Sequence, residues 1–270
     1  MKPFIKWAGG KRQSLSEINK LIPKYNTYIE PFLGGGSVFF SIYHPKNSHY
    51  LFDINNDLIR TYRCIRDNVE DLTFELTKLS DSYYSSVDSK EYYYLIRERY
   101  NNKPLDSVMK SAYFIFLNKT CFNGLYRVNK KGSFNVPFGY YKKPLIYNSN
   151  LISISSVLKN AFIDILDFRD LHNYIRKNTF IYFDPPYMPV NKTSFTSYTN
   201  TSFSEKDQTD LANIIKSVSS KAKIMMSNSS SPLVYELYKD FNICEIYSRR
   251  SINSDSSGRS KIKELLITNY

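Results

Sequence analysis

Asp184-Pro185-Pro186-Tyr187 is the stretch of this 270-residue chain whose residue types most narrowly define a chemistry. The apolar run Thr179-Phe180-Ile181-Tyr182-Phe183 reads as a buried strand that delivers the Asp184 carboxylate at its C-terminal end, where open α/β sheets bind ligands. The two prolines fix the backbone, remove two N–H donors and leave carbonyls as acceptors. Such a site suits a planar amino group: Asp184 and a proline carbonyl accept its two N–H bonds while Tyr187 stacks on the ring. Prolines after a strand are ordinarily loop punctuation. That reading weakens for an acid, two prolines and an aromatic set directly after an apolar strand.

A second cluster is Glu30-Pro31-Phe32-Leu33-Gly34-Gly35-Gly36-Ser37, a strand, a glycine turn and a helix start. The chain has only 9 Gly, well below the usual ~7%, so each is expected where a Cβ is not tolerated. Asp53 closes the next strand, placed to accept from ribose hydroxyls. The dinucleotide fingerprint would require Gly at Phe39, so NAD fits poorly. S-adenosylmethionine (AdoMet), an adenosine and a sulfonium without pyrophosphate, suits the loop better; taken alone, the triplet is equally a tight turn. Phe4-Ile5-Lys6-Trp7-Ala8-Gly9-Gly10-Lys11 fails the phosphate-loop pattern, which needs Gly at Ile5 and Ser or Thr at Arg12. Its Gly pair, flanking lysines and the one Trp still mark a ligand-facing turn or a hydrophobic anchor. Three scattered Cys and three His support neither a disulfide framework nor a zinc site, so no metal is expected.

The elements that must position these residues alternate between strand and helix, with one interruption. Strands are expected at 28–32, 50–53, 162–166, 180–183, 224–226, 243–247 and 265–268, and helices at 37–42 and 204–218. Leu58, Tyr62, Ile65 and Val69 follow helical spacing. The serine runs at 227–231 and 251–260 read as loops. The predicted fold is α/β, a Rossmann-like sheet with helices on both faces and a mostly helical insertion. The expected domains are 1–56 and 149–270, together catalytic, with the insertion at 57–148. The net charge is +12, unevenly spread: residues 107–163 carry eight basic side chains, from Lys110 to Lys159, and no acid. Aromatics interleave with them, as suits phosphate neutralisation and base stacking. Arg249, Arg250, Arg259, Lys261 and Lys263 form a second basic group. No apolar run approaches the ~20 residues of a membrane span, and the N-terminus has no signal-peptide core; the expectation is a cytoplasmic protein that binds nucleic acid.

Together, Phe4–Lys11, Glu30–Ser37, Asp53–Ile59, Asn123-Gly124-Leu125-Tyr126-Arg127, Phe134–Gly139 and Asp184–Tyr187 resemble the Dam-type and DpnII-type DNA adenine-N6 methyltransferases of the α group. The resemblance runs from residue 4 to the C-terminus and keeps the family's motif order. It implies methyl transfer from AdoMet to N6 of a flipped adenine in double-stranded DNA, with GATC as target. Carried over by motif, Asp184, Pro185 and Tyr187 are the catalytic residues. Trp7, Lys11, Gly34, Gly35, Gly36, Asp53, Asp167 and Asp184 contact AdoMet, Asp167 through its adenine. Arg127 reads a guanine and Lys6 a flanking one, Leu125 and Pro137 pack against base edges, and Phe122, beside Asn123, wedges into the duplex where some relatives carry Tyr. Phe195 and Tyr198 are further candidates for the pocket wall, with core packing an equal alternative. A monomer or weak dimer is expected, and a cognate restriction endonuclease acting independently is left open. Two other readings stand beside this one: methylation of cytosine N4, RNA or a protein amide, and a non-catalytic DNA-binding protein.

Overall fold

The computed structural model describes residues 1–142, 150–187, 203–249 and 261–270. Phe195, Tyr198, Arg250, Arg259 and the whole serine run at 251–260 lie outside the described residues. Along the chain run α1 (Leu15–Lys20), β1 (Thr27–Glu30), α2 (Ser37–Ile42), β2 (Ser48–Asp53), α3 (Asn56–Asp67), α4 (Val69–Ser85), α5 (Ser89–Asn102) and α6 (Ser107–Thr120). After the loop at 121–142 come α7 (Leu151–Leu158), β3 (Ala161–Ile165), β4 (Thr179–Phe183), α8 (Glu205–Val218), β5 (Ala222–Ser229), α9 (Pro232–Leu237), β6 (Asn242–Arg249) and β7 (Lys261–Thr268).

Among the described residues the strands form one seven-stranded sheet, ordered β3-β2-β1-β4-β5-β7-β6. All pairs are parallel except those of β7, which runs antiparallel between β5 and β6. Strand side chains alternate between faces, and the core divides accordingly. Tyr28, Leu51, Phe180, Tyr182, Met225 and Leu266 face the layer built from α2 to α7. Ile29, Phe52, Ile181, Phe183, Ile224 and Met226 face α8 and α9. This is the expected α/β sheet with helices on both faces. Strand order reverses at β1, which pairs with β2 on one side and β4 on the other. The loops leaving β1 and β4 therefore part, and a crevice opens at their C-terminal ends.

Helix boundaries follow local capping. Asn55 accepts from the Leu58 amide to start α3, and Ser204 with Asp207 forms a capping box at α8. The α6 segment is apolar almost all round because it lies inside the helical layer, Ala112 to Leu117 being buried. One expectation is corrected. Ser227, Asn228 and Ser229, read as the start of a loop, form the end of β5 and are buried. Polar side chains are accommodated there because Ser227 bonds the Tyr182 hydroxyl at 2.6 Å and Asn228 donates to Gln208 at 3.1 Å. Helices α1, α7 and α9 carry no prediction from sequence. Among the described residues no helix is long and apolar enough to cross a membrane.

Candidate active site

Strand β4 is buried along its whole length and ends where Asp184 enters the crevice. The Lys11 ammonium, buried at 4% exposure, pairs with Asp184 Oδ1 at 2.7 Å and donates to the Gly9 carbonyl at 2.7 Å. It also lies 4.7 Å from the centre of the Tyr187 ring. Burial pushes the Asp184 carboxyl up to about 6, against the pull of Lys11 and with the repulsion of Glu264 adding to it. Lys11 engages Asp184 through Oδ1, and among the described residues no hydrogen bond is formed by Oδ2; the residue lines the cavity.

The tetrapeptide is held from behind. Gln208 of α8, fully buried, donates to the Pro186 carbonyl at 3.0 Å and accepts from Asn228 of β5. The Tyr187 hydroxyl reaches Glu264 of β7 at 3.4 Å. The Pro186 carbonyl is thus held by α8, whose Gln208 is itself braced by β5.

On the β1 side, Gly34 lies in the left-handed region with φ +49. Its amide donates to Asp53 Oδ2 at 2.9 Å, and the Asn55 amide donates to Oδ1 at 2.9 Å. Burial raises the Asp53 carboxyl and these amides oppose that rise. Trp7 covers the turn so closely that a Cβ on Gly34 would lie 2.7 Å from the indole Cδ1. Behind it Glu30 is buried, accepts from the Tyr28 hydroxyl at 2.8 Å, and is pushed well above the usual carboxylate range by burial.

Opposite, Phe32, Phe168 and Phe203 pack with centroids 5.6 to 6.0 Å apart. Asp167 caps the turn that follows β3 and pairs with Arg169, which also binds Asp207 and Asp210. All of Trp7, Lys11, Gly34, Gly35, Gly36, Asp53, Asp167, Asp184, Pro185 and Tyr187 line one cavity of about 640 Å³, a size that suits a nucleoside-sized ligand. A wider depression of about 1010 Å³, lined by Tyr25, His44, Lys223 and Tyr270, lies at the opposite ends of the strands.

The other expected residues lie in the loop after α6, except Lys6, which reaches that loop from the N-terminal segment. Asn123 has φ +55, and short antiparallel bridges join Cys121 to Phe138 and Val128 to Phe134. Phe122 is 49% exposed, and its amide donates to the Pro137 carbonyl at 2.8 Å. The exposed Arg127 guanidinium is oriented by Asn135, through Nε to Oδ1 at 2.7 Å and Nη2 to the backbone carbonyl at 3.3 Å. Lys6 is exposed, with its ammonium 4.9 Å from the Tyr141 ring centre, and Leu125 is half-buried in the same loop. The structure therefore forms two groups: one around the cavity, one on a basic loop beside it.

Several residues in this architecture carried no expectation of a role. Glu30 stands inside a motif already quoted and Phe168 directly follows Asp167, so their position was a readable signal. Gln208, Asn228 and Arg169 were not marked by any motif.

The chain is similar along its length to known proteins. A family model described as D12 class N6 adenine-specific DNA methyltransferase matches residues 7–252. The chain is 45% identical to the type II methyltransferase M.MjaIII of Methanocaldococcus jannaschii, over 100% of this chain and 99% of that protein. It is 45% identical to the type II methyltransferase M1.LlaDCHI of Lactococcus lactis subsp. cremoris, over 100% and 96%. It is 34% identical to the DNA adenine methylase of Escherichia coli K12, over 98% and 94%.

Proposed function

Because this chain belongs to the D12 class of N6 adenine-specific DNA methyltransferases, whose methyl donor is AdoMet, we propose that it flips an adenine out of duplex GATC into the cavity beside Asp184 and methylates its N6. The observation that carries this reading is one cavity bounded by Asp184, Tyr187 and the Gly34 turn. AdoMet, when bound, supplies a methyl group made electrophilic by its sulfonium. The lining fits it: the Gly34 turn leaves no Cβ in the way, Asp53 offers acceptors for ribose hydroxyls, and Asp167 with the Phe32 and Phe168 rings suits a purine.

Adenine N6 is a weak nucleophile, and it is out of reach inside a stacked duplex. Asp184 Oδ2 and the Pro185 carbonyl accept its two N–H bonds, drawing the nitrogen lone pair out of the ring plane, while Tyr187 holds the base. Lys11 keeps Asp184 aimed and ionised. Positioning of the two reactants supplies much of the acceleration. We assign the reading of DNA to 57–148: Arg127 to a guanine, Lys6 to a flanking guanine, Leu125 and Pro137 to base edges, and Phe122 to the wedge. The type II names of two relatives support a companion restriction endonuclease.

Transfer requires the Asp184 carboxylate, so kcat/KM is expected to rise with pH through about 6. Lys11→Met removes the charge that lowers this pKa and is expected to move the acid limb to higher pH. Stability has the opposite sign. Between about 4, the unfolded value, and about 6 the folded chain keeps a proton at Asp184 that the unfolded chain has lost, so this group's contribution falls as pH rises. A pH–rate profile paired with thermal melts checks both signs. Gly34→Ala, strained by φ +49 and driven into Trp7, is expected to weaken AdoMet binding on the order of tenfold, from ~1–3 kcal/mol of strain; calorimetric titration reads it.

The reading as a whole is tested by incubating DNA with labelled AdoMet and digesting it to nucleosides for mass spectrometry. Labelled N6-methyladenine supports it. Labelled N4-methylcytosine, or no labelled nucleoside, overturns it.

A further inference from the structure

Tyr126 sits between the basic loop and the cavity. Its ring stacks on Trp7 with centroids 5.6 Å apart and planes at 25°, and is boxed by Phe114 at 5.5 Å and Phe134 at 5.8 Å. Its hydroxyl donates to Asp57 Oδ2 at 3.0 Å, an oxygen that also accepts from Tyr100 at 2.6 Å. Asp57 lies in the first turn of α3, two residues after Asn55, which lines the cavity. Trp7 in turn covers Gly34 and Gly35, where added Cβ atoms would lie 2.7 and 3.2 Å from its side chain.

A second tie binds the same two segments. The Asn118 side chain, 3% exposed, accepts from the Lys6 amide at 3.0 Å and donates to the carbonyls of Lys6 and Gly124, both at 2.9 Å. Lys6-Trp7 and Gly124-Leu125-Tyr126 are therefore tied to each other by side-chain hydrogen bonds and by the ring stack, and Arg127 is the next residue. Close-packed contacts of this kind transmit displacement instead of absorbing it.

We infer that Tyr126 is a positioning residue that couples occupancy of the basic loop by duplex DNA to the affinity of the Trp7–Gly34 turn for AdoMet. The inference rests on the functional reading above. DNA that engages Arg127 and Lys6 pins Tyr126 and, through its ring, Trp7, so AdoMet meets a turn already ordered. Coupling between two sites is reciprocal: AdoMet tightens DNA binding by the same factor. The arrangement favours methyl donor binding on a chain already seated on its target.

Trp7 is the one Trp in the chain, so its emission reports on this joint directly. The test uses the full chain and a duplex that the wild type methylates. Sinefungin, an AdoMet analogue with no transferable methyl, is titrated with and without that duplex. The wild type and Tyr126→Phe are expected to bind sinefungin at least about fivefold more tightly with DNA, and to change Trp7 emission when DNA is added. In Tyr126→Leu the ratio falls to about one and the emission change is lost, while DNA is still bound. KM for AdoMet rises in that variant, and kcat at saturation changes little. Should the Leu variant not fold, Tyr126→Met refills the space with a flexible side chain and takes its place.

A wild-type ratio of one, or a wild-type ratio retained in the Leu variant, overturns the coupling. A Phe variant that loses the ratio as fully as the Leu variant overturns the stacking joint, since the hydroxyl would then carry the effect. A wild type that methylates no duplex overturns the functional reading and the coupling with it. Methylation alongside an intact ratio in Tyr126→Leu overturns the coupling alone.

Discussion

Asp184→Ala is expected to lower methyl transfer by about a hundred- to a thousandfold, in line with losing a charge-stabilising group at a reacting centre, while DNA binding changes by less than about threefold. The asymmetry follows from where Asp184 lies. It lines the cavity with Tyr187 and Lys11, and no residue of the basic loop is part of that lining. The substitution also has a structural cost. Lys11, at 4% exposure, would lose its carboxylate partner and keep the Gly9 carbonyl and the face of the Tyr187 ring. Breaking a buried pair from one side costs about 3–5 kcal/mol, less here because Asp184 retains 19% exposure. The double variant Asp184→Ala, Lys11→Met removes the orphaned cation. It is expected to recover thermal stability without recovering transfer, which separates the chemical loss from the folding loss. Normal turnover by Asp184→Ala would sink the assigned mechanism.

Arg127→Ala is expected to reduce kcat/KM on the target duplex by about 5- to 150-fold, the worth of one bidentate guanine contact at ~1–3 kcal/mol. Sinefungin affinity measured without DNA should stay unchanged. Discrimination at one base pair should fall by the same factor, so that a duplex altered there becomes nearly as good a substrate as the intact site. Asn135 already fixes two of the guanidinium's donor positions, leaving the rest of the fork to meet a base edge. Asn135→Ala should therefore show a weaker effect of the same kind. Arg127→Lys should not rescue, because an ammonium cannot reproduce the fork. A uniform loss across all sequences would instead mark Arg127 as a phosphate contact.

What could be read from sequence was what each motif needed locally. Asp184 was legible because an apolar strand, an acid and two prolines leave few alternatives, and the Gly34–Gly36 turn because the chain uses Gly so rarely. The sheet followed from apolar runs whose alternate residues both had to be buried. Contacts between distant segments were not legible. The Lys11–Asp184 pair joins the first turn to the end of the fourth strand, and nothing in either motif names the other. Gln208 lies in the helix expected at 204–218, and nothing local marks it until Pro186 and Asn228 are seen around it. Ser227 and Asn228 looked like a loop because polar residues enter a buried strand only when partners such as Tyr182 and Gln208 await them. Tyr126 was visible as a letter of the Asn-Gly-Leu-Tyr-Arg motif, but its stacking on Trp7 depends on Asn118 bringing the two segments together.

The most direct measurement is single-base mapping of methylation on a mixed-sequence DNA treated with the wild type and with Asp184→Ala. The account predicts N6-methyladenine at the adenine of GATC on both strands with the wild type, and none above background with the variant. Methylation at an unrelated sequence, at cytosine, or undiminished in the variant would contradict it.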